Sequence, residues 1–97
     1  MNKRYLEKNR WSILYKDLTK CAICGTTFGI EKNEVFEGAK RNNSMIYGFV
    51  IPLCQYHHRL FHNNRNFSLP IKQRFQKEFL KTHSLDDFLS IIHRNYL

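Results

Sequence analysis

Acidic side chains, glycine and proline are all scarce in this chain. Eight Asp and Glu face sixteen Lys and Arg, which leaves a formal net charge of +8 on 97 residues. Such an excess favours a polyanionic partner through phosphate neutralisation and counterion release, the plain alternative being a solubilising basic surface. Four Gly and two Pro are too few for a flexible or rigid linker, and no segment repeats or is of low complexity, so residues 1–97 are read as one domain. No run approaches the roughly 20 apolar residues that cross a bilayer. The opening MNKRYLEKNR lacks the apolar core of a signal peptide. The expectation is a cytoplasmic protein with no membrane partner. The three cysteines cannot all pair with one another, so a complete disulfide framework is excluded.

What is present is enough apolar material to fold: hydrophobic residues make up 42% of the chain and aromatic ones, counted among them, 14%. A domain this short buries only about 60% of the surface its unfolded chain exposes, so an added staple is expected. Leu6, Ile13, Leu14 and Leu18 fall on one helical face and predict a first amphipathic helix over 6–18. Two β-rich runs, Glu34 to Phe36 and Ile46 to Leu53, flank the polar stretch Lys40 to Ser44 and predict a β-hairpin with a basic loop. Cys54 to Asn63 predicts a short helix. Ser68 and Pro70 predict the start of another, with Ile71, Phe75 and Phe79 as its buried stripe. Ser84 with Asp87 resembles a capping box before Leu85, Phe88, Leu89 and Ile92. The fold class is α+β: an N-terminal helix, a cysteine knuckle, a hairpin, a metal-bearing helix and two C-terminal packing helices.

Cys21-x-x-Cys24 and Cys54-x-x-His57 supply two pairs of ligands, the set a tetrahedral Zn²⁺ requires. Each two-residue gap lets a tight turn aim both side chains at one ion, and Gly25 gives the knuckle its backbone freedom. Four protein ligands leave no open position, so this zinc is expected to be structural. His58 and His62 stand four residues apart, on one side of a helix, where two imidazoles can share a second metal or simply lie on the surface. Lys40, Arg41, Arg59 and Arg65 are the candidate phosphate contacts around that pair. Lys72, Arg74 and Lys77 read instead as the solvated face of the following helix.

The combination of Cys21-Ala-Ile-Cys24-Gly25, Asn33-Glu34-Val35-Phe36-Glu37-Gly38, Lys40-Arg41-Asn42-Asn43-Ser44, Tyr47 through Cys54, His57-His58-Arg59, His62 and the tail Arg94-Asn95-Tyr96-Leu97 spans most of the chain. Taken together it resembles the HNH (ββα-metal) endonucleases, and more closely a phage-type branch akin to the recombination-enhancement nucleases. The resemblance implies a zinc-stapled ββα-metal domain that cleaves DNA, with His58 and His62 on the metal side and a catalytic divalent ion, Mg, Mn or Zn. It also exposes a departure: the branch carries His-Glu-Val-Phe or His-His-Val-Phe where this chain has Asn33-Glu34-Val35-Phe36. Asparagine cannot act as a general base at neutral pH. Glu34 is the natural substitute, although adjacent strand residues point to opposite faces. Two functions therefore stay open: a nuclease with an altered site built on Asn33, Glu34, His58 and His62, or an inactive relative that binds nucleic acid or a protein. The sequence does not separate DNA from RNA.

Overall fold

The computed structural model describes residues 2–97. Among the described residues there are five α-helices and one two-stranded antiparallel sheet, an α+β arrangement. In chain order these are α1 (Lys3–Lys8), β1 (Glu31–Glu34), a single 3₁₀ turn (Gly38–Lys40), α2 (Arg41–Ile46), β2 (Val50–Leu53), α3 (Gln55–Asn63), α4 (Arg65–Phe79) and α5 (Leu85–Ile92). Among the described residues, no helix is long and apolar enough to cross a membrane.

The first helix is much shorter than its apolar spacing suggests. Asn2 caps it by accepting from the Tyr5 N–H at 2.8 Å, and it ends at Lys8. Beyond it the backbone finds partners outside any helix: the Ile13 N–H donates to Gly48 O at 2.9 Å, and the Leu14 and Tyr15 N–H groups to Ser12 Oγ. Ile13 and Leu14 still pack on the core, but from an irregular segment. A Cβ on Gly48 would lie 2.9 Å from the Trp11 ring at a φ of +74°, so glycine is what lets this segment close.

The strands pair with Glu31 opposite Leu53, Lys32 opposite Pro52, Asn33 opposite Ile51 and Glu34 opposite Val50. The first strand thus starts three residues before the expected Glu34, and the second is confined to Val50–Leu53. Their connection is a helix rather than a basic hairpin loop. Ser44 Oγ accepts from the Phe36 N–H at 3.1 Å and donates to Phe36 O at 2.7 Å, while Asn43 Nδ2 donates to Ile91 O at 2.8 Å. These side chains tie 40–46 down to the sheet and to α5, and hydrogen bonds of this local kind favour a compact turn over an open loop.

Asn64 ends α3 and caps α4 by accepting from the Phe67 N–H, so α4 begins at Arg65 and carries Pro70 within it, three residues before the expected Ser68 start. Ile71, Phe75 and Phe79 are buried as the spacing predicts. The capping box at Ser84 and Asp87 is present in both directions. The core is an aromatic knot in which Phe36, Phe49, Phe79 and Phe88 meet edge to face at 5.3–5.6 Å for the pairs 36–49, 49–79 and 36–88. Such pairs add about 0.5–1.5 kcal/mol each beyond area burial, and here they clamp the sheet onto α4 and α5.

Candidate metal centre and histidine pair

The cysteine knuckle is built by its own backbone. Gly25, at φ +77°, donates its N–H to Cys21 O, and the Cys21 N–H donates to Thr26 O, which folds the two thiols to one side. The Ala22 N–H then donates to Pro52 O at 2.9 Å and docks the knuckle beside the end of β2, next to Cys54. Cys54 is the N-cap of α3, so His57 lies one turn away on the same side. The ligand atoms of Cys21, Cys24, Cys54 and His57 all lie within 4.8 Å of one another. Cys24 Sγ is 3.8 Å from Cys54 Sγ, and His57 Nδ1 is 3.6 Å from Cys21 Sγ and 3.2 Å from Cys54 Sγ. Bonds of ~2.3 Å to sulfur and ~2.0 Å to nitrogen at tetrahedral angles place ligands about 3.5–3.8 Å apart. The four residues can therefore hold one metal ion, in an arrangement consistent with structural zinc.

The thiols are prepared unequally. Burial raises Cys21, but the N–H groups of Cys24, Cys54 and Ile23 point at its sulfur and bring its pKa down to about 6. Cys24 moves the other way: the Thr26 N–H lowers it, while desolvation and the neighbouring Cys21 and Cys54 thiols together raise it. A thiolate at Cys21 is the form that ligates.

Directly after His57, α3 carries His58 and, one turn further on, His62, with their Nε2 atoms 2.9 Å apart. Each ring is held from behind by a carboxylate. His58 Nδ1 contacts Glu31 of β1, and His62 Nδ1 lies 2.6 Å from Glu37 in the turn after that strand. A carboxylate only accepts, so Nδ1 of each ring is the donor to it, and the two Nε2 atoms are left facing one another. Two ring nitrogens at this distance need a cation to share, either a proton on one of them or a metal ion beside both. Nitrogens at ~2.0–2.1 Å from one ion and at right angles to each other would be about 2.9 Å apart.

No family model, curated protein or solved structure matches this chain.

The other expected site residues separate. Asn33 is buried on the Glu31 face of β1, and its Nδ2 has no hydrogen-bond partner among the described residues. Glu34 is on the opposite face, where its Oε1 accepts from Arg10 at 2.7 Å and from Arg41 at 2.9 Å. Burial pushes the Glu34 carboxyl up, but the hydrogen bonds and charge of Arg10 and Arg41 outweigh it and hold its pKa below the ordinary value of 4.5. A carboxylate so held does not serve as a base for the histidine pair. Arg41 also reaches Glu7 at 3.0 Å, so its guanidinium is spent within the fold. Lys40 Nζ meets His93 Nδ1 at 2.7 Å. Arg59 is exposed on α3, and Arg65 opens α4 on the rim of a cavity that includes His62. Glu31 and Glu37 escape a reading of the sequence. Strand alternation from Asn33 points to Glu31 as its same-face neighbour, but nothing in the spacing singles out Glu37.

Proposed function

We propose that this chain is a metal-dependent phosphodiesterase of the HNH type acting on DNA, with zinc at Cys21, Cys24, Cys54 and His57 as its structural staple. The observation that carries the reading is the facing Nε2 pair of His58 and His62, each ring oriented by a carboxylate. Carboxylate-backed imidazoles are how metal-ligating histidines are fixed in tautomer and direction. The order of elements agrees with it, since an antiparallel strand pair followed by the histidine-bearing α3 is the strand–strand–helix unit that the sequence resembles.

His58 and His62 would hold a divalent Mg, Mn or Zn ion through Nε2. Such an ion, when bound, supplies charge stabilisation to the phosphoryl group and the leaving oxygen. Glu31 and Glu37 keep the two rings aimed. Asn33 offers a hydrogen-bond donor on the same face of β1 and takes up no proton.

That last feature favours the second reading, a catalytically silent module that binds nucleic acid or a protein on the same scaffold. Incubating the zinc-loaded protein with supercoiled plasmid separates the two. The nuclease should nick it with Mg²⁺ or Mn²⁺, stop on addition of chelator and lose activity in His58→Ala. A folded, zinc-loaded protein that nicks with neither ion leaves the binding module.

A further inference from the structure

Beside His62 opens a cavity of about 410 Å³ whose walls carry Arg65, Lys72 and Arg94 together with Tyr96. Among the described residues, none of these three cations forms an ion pair. The carboxylate in the same wall, Glu37, is engaged by His62. Three cations against one carboxylate leave the concavity with a net positive charge, and an anion entering it relieves the repulsion among them. Arg65 is the first residue of α4, whose N-terminus adds partial positive charge to the same rim.

The wall is built rather than accidental. Tyr96 lies under two cations at once, Lys72 Nζ at 5.5 Å and Arg94 Cζ at 5.0 Å from its ring centroid. Its backbone is fixed by α4: Gln76 Oε1 accepts the Tyr96 N–H at 2.8 Å, and Gln73 Nε2 donates to Tyr96 O at 2.9 Å. Gln76, fully buried, also donates to Asn95 Oδ1. The C-terminal tail, whose role the histidine pair leaves open, is thereby clamped as one side of the pocket.

We propose that Arg65, Lys72 and Arg94, arranged around Tyr96, form a phosphate-binding pocket that holds the DNA backbone next to the phosphodiester at His58 and His62. The inference rests on DNA being the partner of the proposed function, and not on cleavage.

Binding is therefore measured without Mg²⁺ or Mn²⁺, using zinc-loaded full-length protein and a short fluorescent DNA duplex over a range of salt. K72Q/R94Q should weaken binding on the order of tenfold at low salt and lower the salt slope by roughly two, because each phosphate contact contributes about 0.9. K16Q/K20Q removes the same charge from exposed positions outside the cavity and should change little. Zinc content and melting temperature accompany each variant, because Lys72 and Arg94 also contact Tyr96. R65Q, which lies outside that ring stack, should lower the slope by about one. If K72Q/R94Q and R65Q fall no further than K16Q/K20Q, or if the wild type binds no DNA, the pocket assignment is overturned. Intact pocket-dependent binding without nicking would support the pocket while removing the nuclease reading.

Discussion

Glu31 on β1 holds Nδ1 of His58 on α3, and through that contact the sheet sets the direction in which the imidazole offers its other nitrogen. The 2.6 Å contact from Glu37 to His62 does the same for its partner. Orienting carboxylates of this kind are typically worth 10- to 100-fold in metal affinity. Glu31→Gln and Glu37→Gln should each weaken Mn²⁺ binding by about that factor, measured by calorimetry on zinc-loaded protein. An unchanged affinity would mean that the carboxylates do not position the rings.

The Cys₃His cluster should bind one zinc per chain, read by elemental analysis. Cys24→Ser should lower both zinc content and melting temperature, since structural zinc contributes on the order of 10 kcal/mol of apparent binding free energy to folding. A metal-free protein as stable as the wild type would refute the staple.

Glu34 is expected to matter for stability and not for proton transfer. Its folded-state pKa is depressed, so the stabilisation it provides is fully present above the unfolded value near 4.5 and is lost as the pH falls through the lower folded value. Glu34→Gln should cost about 1.5 kcal/mol at neutral pH, the low end for hydrogen bonds to charged groups because Arg41 is a third exposed. Denaturant melts of the variant should lose part of the wild type's dependence on acidic pH. A melt unchanged at pH 7, with nicking abolished, would instead make Glu34 the base.

Residue 33 is the clearest lever on chemistry. Asn33→His puts a proton acceptor on the Glu31 face of β1, and a positioned general base is typically worth about 10²- to 10⁴-fold. Single-turnover nicking by the variant should exceed the wild type by that order. Equal rates would show that position 33 carries no base function in this chain.

The sequence made the metal cluster legible because paired ligands at two-residue gaps leave little geometric choice, and the stripe Ile71, Phe75, Phe79 because burial follows helical period. The segment after Lys8 was less legible. Its apolar spacing suits a helix, yet the deciding bonds, Ile13 to Gly48 and Ala22 to Pro52, join residues distant in the chain. The 40–46 stretch misleads for a similar reason: Asn43 and Ser44 look like turn residues until Ile91 and Phe36 accept their bonds. Arg41 reads as a phosphate contact from its neighbours in sequence, whereas its carboxylate partners come from Glu7 and Glu34. Tertiary partners of this sort carry no local signature.

His58 and His62 are expected to share one divalent ion distinct from the zinc. Mn²⁺ titrated into zinc-loaded wild-type protein, followed by loss of its free-ion electron paramagnetic resonance signal, tests it most directly. One Mn²⁺ should bind per wild-type chain and none in H58A or H62A, with zinc content unchanged in both. Absence of Mn²⁺ binding by the wild type, or equal binding by wild type and both variants, would contradict it.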